Sequence, residues 1–259
     1  FDLGREPIPY EGVVNGVIEA REAVRQRYKN GADLINITAT GGVLSVSKSS
    51  DNPQFRTDEL KSIVETASDY GMHVAAHAHG TEGIKRAIKA GVRSIEHGTN
   101  MDAETIKLML EKEIYYVPTL SAGKFVTEKA KTEGYYPNVV RDKATNIGLK
   151  SIETFKLAYE AGVKIAFGTD SGVSKHGENS KEFLYMVDAG MKPLEAIRSA
   201  TIVSAELLKI QNILGSVEIN KIADLIAVKG NPLDDISIIE NVVFVMKSGI
   251  VYKNLNMDF

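Results

Sequence analysis

The chemical signal of this chain lies in five histidines and one aspartate. The histidines are His73, His77, His79, His97 and His176. His77 closes the apolar run Val74-Ala75-Ala76, and His97 closes Val92-Arg93-Ser94-Ile95-Glu96. Asp170 follows Val163-Lys164-Ile165-Ala166-Phe167 within Gly168-Thr169-Asp170-Ser171-Gly172. Each of the three sits where a short strand stops. Neighbouring parallel strands lie about 4.8 Å apart, so imidazoles on adjacent strand ends can converge on one ion. Closure of a barrel would bring Asp170 toward the same axis. Two neutral imidazoles and a carboxylate form an N/O ligand set suited to Zn²⁺, Mn²⁺, Co²⁺ or Fe²⁺. Such an ion acidifies a coordinated water, and Asp170 is placed to accept the proton.

Each residue also has a structural reading. His77 can be a packed strand histidine, His97 the start of a turn, and Asp170 a helix cap or Asx-turn residue. Their coincidence at strand ends favours chemistry. His79, two residues beyond His77, reads as a substrate contact or a cap. His176, within Ser174-Lys175-His176-Gly177-Glu178-Asn179, reads as a substrate contact or a solvated loop residue. His73 precedes its strand and reads as structural. Arg86, Arg93 and Arg141 can each bind a substrate carboxylate, and the spacing selects none of them.

These residues are positioned by one recurring module: a helix, a glycine, a short apolar strand, then a polar residue. Helices are predicted over about 13–30, 57–70, 81–90, 102–112 and 139–161, with strands at 34–38, 74–77, 92–97, 114–117 and 163–167. Alternating helices and strands imply a parallel sheet. No G-x-G-x-x-G or Walker sequence follows a strand. The polar residues cluster at strand ends, as in a (β/α)₈ barrel. Two more helices are expected at about 180–189 and 193–209. Beyond Gly215, short strands are expected at 216–219, 223–228, 242–247 and 250–253. The charged, aromatic stretch 121–137, with Tyr135 and Tyr136, is expected to be a mobile loop over the barrel mouth.

The chain has 259 residues, 43% hydrophobic and 25% charged, with a formal charge of -3. That excludes a disordered chain and a basic nucleic-acid binder, so neither nucleic acid nor membrane is expected as a partner. It contains no cysteine, which excludes disulfides, thiolate zinc sites and cysteine nucleophiles. The opening residues, Phe1-Asp2-Leu3-Gly4-Arg5-Glu6-Pro7, lack a leader pattern. A cytoplasmic location is expected, unless an upstream segment carries a signal.

Taken together, Ala75-Ala76-His77-Ala78-His79-Gly80, Ser94-Ile95-Glu96-His97-Gly98-Thr99 and Phe167-Gly168-Thr169-Asp170-Ser171-Gly172 resemble the amidohydrolase superfamily. The resemblance is to its branch of Xaa-Pro dipeptidases related to imidazolonepropionase. Gly31-Ala32-Asp33-Leu34-Ile35, Thr40-Gly41-Gly42-Val43, Ala196-Ile197-Arg198-Ser199-Ala200-Thr201 and Ala223-Asp224-Leu225-Ile226-Ala227-Val228 extend it over nearly the whole chain. It implies an α/β fold, a TIM barrel of amidohydrolase type, here incomplete and holding strands four to eight. Residues 1–214 would form the partial barrel and 215–259 a small β-sandwich element.

The implied activity is hydrolysis of a C–N bond in a small amide or Xaa-Pro-like dipeptide by metal-activated water. His77, His97 and Asp170 would be metal ligands, Asp170 also the catalytic proton acceptor, and His79 and His176 substrate contacts. Two departures stand out. The family's strand-one His-x-His pair has no counterpart, and Asn36 occupies the position of its bridging, carbamylated lysine. An amide cannot form that carbamate. One divalent metal at most, zinc foremost, is therefore expected here, with reduced activity of the chain alone. Open strand edges favour a homo-oligomer. The competing reading is a degenerate, non-catalytic barrel that serves in binding or assembly.

Overall fold

The computed structural model describes residues 12–255. The opening residues Phe1 to Pro7 lie outside that range. Four strands, β1 (Ile35–Thr38), β2 (Val74–Ala78), β3 (Ser94–His97) and β4 (Tyr115–Val117), form a parallel sheet in chain order. The fifth expected strand is reduced to one parallel bridge between Tyr116 and Ile165. Two hydrogen bonds hold it. Tyr116 N–H donates to Lys164 C=O at 2.8 Å, and Ala166 N–H donates to Tyr116 C=O at 2.9 Å. Among the described residues no strand pairs with the outer edge of β1. The barrel is therefore not closed.

Alternation along the strands sorts the side chains. Ile35, Ile37, Val74, Ala76, Ala78, Ile95 and Tyr116 face the helices and form the main core with Leu60, Ile63, Ile84, Ile88, Ile106 and Met109. The helices are α1 (Gly16–Lys29), α2 (Thr57–Asp69), α3 (Thr81–Ala90) and α4 (Ala103–Glu111). In α3, Ile84, Ala87 and Ile88 make one buried stripe, and Gly91 ends the helix at φ 97°. In α4, the Asp102 carboxylate caps the first turn by accepting from Thr105 N–H at 2.7 Å. The opposite sheet face carries Asn36, Thr38, His77 and Glu96, with Asn36 and Thr38 exposed.

Three expectations are corrected. Residues 121–137 are not a loop: α5 (Leu120–Ala130) occupies most of them. Val126 and Ala130 pack with Val43, Ala144 and Ile147, and Tyr136 lies against that cluster. The long helix expected over 139–161 is two, α6 (Asn138–Ala144) and α7 (Ile147–Glu160). Thr127 of α5 satisfies the break, because its hydroxyl accepts from Gly148 N–H and donates to Ala144 C=O, both at 2.9 Å. Finally, 216–219 is not a strand. Val217 and Ile219 are 84% and 91% exposed, so nothing there rewards pairing.

The chain continues through α8 (Lys181–Asp188), α9 (Pro193–Arg198) and α10 (Ser204–Leu207). A wide π turn, Ser199–Val203, joins the last two. It leaves the Ser199 carbonyl able to accept Phe167 N–H at 3.1 Å, which anchors the segment leading to Asp170. An antiparallel sheet closes the described chain, with β5 (Leu225–Val228), β6 (Val242–Lys247) and β7 (Ile250–Asn254) in order. No helix among the described residues is long and apolar enough to cross a membrane.

Candidate metal centre

Residues i and i+2 of a strand share a face, so β2 and its continuation present His77 and His79 together. His97 should not join them. In register it pairs with Ala78, and regular alternation would turn its side chain toward the helices. Instead His97 has φ 69°, and this left-handed turn swings its ring to the strand ends. The imidazole centroids of His77 and His97 lie 4.7 Å apart, those of His77 and His79 4.8 Å, and those of His79 and His97 5.0 Å. One ligand nitrogen from each of the three lies within 4.8 Å of the others.

A non-glycine residue held in this conformation costs on the order of 1–3 kcal/mol. The surroundings enforce it. The buried Tyr116 hydroxyl donates to His97 C=O at 3.0 Å. Gly98 follows at φ 54°, where a Cβ would stand 2.7 Å from the Tyr116 ring. The motif glycine after His79 has a similar cause, since a Cβ on Gly80 would meet Asp51 C=O at 2.1 Å. Thr119 and Asp170 also have positive φ, 49° and 51°. Left-handed residues thus close β3 and follow β4 and the bridged segment at Ile165 alike.

Hydroxyl groups orient two of the rings. His97 Nδ1 lies 2.7 Å from Thr119 Oγ1, and His79 Nδ1 lies 2.8 Å from Thr99 Oγ1. With Nδ1–H donating to the hydroxyl, each ring keeps its Nε2 lone pair for a ligand. His79 N–H donates to the buried Thr40 Oγ1 at 2.9 Å. His77 Nε2 is buried and has no hydrogen-bond partner. An orphaned polar atom of that kind costs about 1–3 kcal/mol, and a cation would relieve it.

Desolvation keeps all three rings neutral. It lowers His97 to about 3, holds His79 well below the ordinary imidazole value, and lowers His77 against the opposing pull of the Gly41 backbone and Asp170. Neutral imidazoles are the form that binds a divalent metal. The donor set, its oriented rings and its orphaned nitrogen therefore fit such an ion.

The remaining expected residues fall as follows. Asp170 is exposed and lies outside the three-histidine group, yet near enough for its charge to raise His77, while partial desolvation by the surrounding protein raises its own carboxyl. His176 is exposed in a turn and is not one of that group. Asn36 stands on the open inner face of β1. Of the arginines, Arg93 donates to the carbonyls of Glu206 and Leu207, both at 2.7 Å, and Arg86 pairs with Glu82.

Sequence reasoning missed Thr40, Thr99, Thr119 and Glu96. Glu96 sits opposite His77 in register and accepts from Ser94 Oγ at 2.6 Å, with burial pushing its carboxyl up to about 7. The run Glu96-His97-Gly98-Thr99 carried the available signal for two of them; Thr40 and Thr119 have no histidine beside them in the sequence.

Comparison with known proteins gives this geometry a family. The amidohydrolase family model matches residues 3–253. The chain belongs to the amidohydrolase family. It is 37% identical over 249 residues to the ochratoxinase of Aspergillus niger, covering 93% of this chain and 50% of that protein. Among solved structures, a Xaa-Pro dipeptidase with methionine bound in its active site is 60% identical, with a TM-score of 0.94 over 96% of this chain and 62% of the other. A prolidase complexed with N-methylphosphonate-L-proline is 36% identical, with a TM-score of 0.86 over 94% of this chain and 60% of that one. This amidohydrolase chain thus spans about half to three-fifths of these relatives. Its fold is theirs, an amidohydrolase-type TIM barrel, seen here as an incomplete set of strands.

Proposed function

We propose that His77, His79 and His97 hold one divalent transition metal, zinc foremost, at a site that hydrolyses a C–N bond in a small amide or Xaa-Pro-like dipeptide. The carrying observation is the buried, unpartnered His77 Nε2 facing two further imidazoles whose Nδ1 atoms are already engaged. When bound, the metal acidifies a water and polarises an amide carbonyl. Asp170 accepts the proton released as the water attacks, and partial desolvation, which raises its carboxyl, makes it a stronger base for that. It then returns the proton to the leaving nitrogen. Thr99 and Thr119 hold the rings of His79 and His97 while this occurs.

Asn36 supports a single metal, because its amide cannot become the bridging carbamate that the family resemblance places there. It also favours the second reading, a barrel that binds without turning over. One experiment separates the two. The zinc-loaded chain is offered a panel of Xaa-Pro dipeptides and N-acyl amino acids. Metal-dependent release of the amine supports the hydrolase. Tight dipeptide binding with no release supports the binding protein. Neither binding nor release would sink both readings.

A further inference from the structure

We propose that Glu182 is a positioning residue for His97, acting through the first turn of α5 and Thr119. The inference rests on reading His97 as a metal ligand. Glu182 lies on α8 and has 0% exposure. Its Oε1 accepts Leu120 N–H at 2.8 Å, and its Oε2 accepts Ser121 N–H at 2.7 Å and the Ser121 hydroxyl at 2.6 Å. Burying a carboxylate completely is costly. Here it does the work of a helix cap from 61 and 62 residues away.

The reason lies in Thr119. It is the N-cap of α5, a position where a threonine hydroxyl normally accepts a first-turn N–H. Thr119 makes no such bond, and its backbone is left-handed at φ 49°, ψ 47°. Its hydroxyl instead meets His97 Nδ1 at 2.7 Å. Glu182 satisfies the helix end in its place, which releases the Thr119 side chain to orient the imidazole. The path runs from the Glu182 carboxylate to the Leu120 and Ser121 amides, to the Thr119 backbone, and through its hydroxyl to His97.

Glutamine at position 182 offers one acceptor oxygen and an NH₂ that cannot accept, so it should loosen the turn. The test uses ¹⁵N-histidine-labelled, metal-free chain at about pH 8, where a free carboxyl is ionised. The His97 ring nitrogen shifts report its Nδ1 hydrogen bond, and Zn²⁺ affinity is read by competition with a chelator. Glu182→Gln and Thr119→Val should both change the His97 shifts and weaken Zn²⁺ binding about 10–100-fold. The double variant should bind no more weakly than Thr119→Val alone, and Thr119→Ser should restore the wild-type signal.

A Glu182→Gln chain that melts lower but keeps the His97 shifts and Zn²⁺ affinity would overturn the proposal. So would additive losses in the double variant. If Glu182→Gln does not fold, Ser121→Ala removes one of the three bonds and should move the His97 signal in the same direction; an unmoved signal refutes. Should the wild type bind no Zn²⁺, the metal reading fails, and the metal-free spectra still decide the Glu182 path.

Discussion

Replacing Gly98 by alanine is expected to be one of the most damaging single-methyl additions in this chain. At φ 54° the new side chain enters the left-handed region, which costs about 1–2 kcal/mol for an L-residue. The Cβ would also lie 2.7 Å from Tyr116 Cε2 and 3.1 Å from Met101 Cε, well inside the roughly 3.5–4.0 Å of comfortable carbon contacts. Tyr116 cannot tilt freely, because it is 0% exposed and its hydroxyl holds His97 C=O. Such overpacking adds about 1–3 kcal/mol. A combined loss near 3 kcal/mol would lower Tm by roughly 6–12 °C in a domain of this size. Calorimetry on Gly98→Ala, Tyr116→Leu and the double variant makes the test specific. Leucine vacates the clashing position, so the cost of Gly98→Ala should fall to the backbone part, about 1–2 kcal/mol. A Gly98→Ala chain melting within about 2 °C of wild type would mean that neither the left-handed backbone nor the Tyr116 contact constrains this position. An equal cost in both backgrounds would mean that the Tyr116 contact adds nothing.

Three further outcomes are expected. Thr99→Val should weaken Zn²⁺ affinity about 10–100-fold with little change in Tm; unchanged affinity in a competition titration would remove His79 from the ligand set. Asp170→Asn should keep its metal while turnover falls by at least about 10²-fold, as read by elemental analysis and product release; normal turnover would end its role as base. Burial pushes the Glu182 carboxyl up to about 7 from 4.5. Between those values the folded chain keeps a proton that the unfolded chain has released, so stability falls as pH rises through that window, by about 3 kcal/mol from this group. Denaturant melts at both ends of the window should show the slope, and Glu182→Gln should flatten it.

Much of the fold follows from patterns that act locally. The helix, glycine, strand module is visible because apolar periodicity and αL-favouring glycines are residue-level signals. Strand-end polar residues likewise pointed to His77, His97 and Asp170. What stayed hidden depends on partners distant in sequence. The break between α6 and α7 is satisfied by Thr127, distant in sequence, and the only local sign of it is the weak boundary pattern Thr145-Asn146-Ile147-Gly148. The segment 121–137 looked like a loop because its charges mask a stripe that packs on Val43 and Ile147. Most telling is His97. Its position in the strand put its ring on the wrong face, and only a left-handed backbone, uncommon for histidine, brings it to His77. That turn is set by Tyr116 and Gly98 together, and by a hydroxyl on Thr119. The proximity of His79 to both rings was open for the same reason.

Metal content per folded chain decides whether the three histidines form a site. After gel filtration in the presence of Zn²⁺, elemental analysis should find about one zinc per chain. His77→Ala and His97→Ala should each lose it. A folded wild-type chain without metal would contradict the account, as would variants that keep the wild-type stoichiometry.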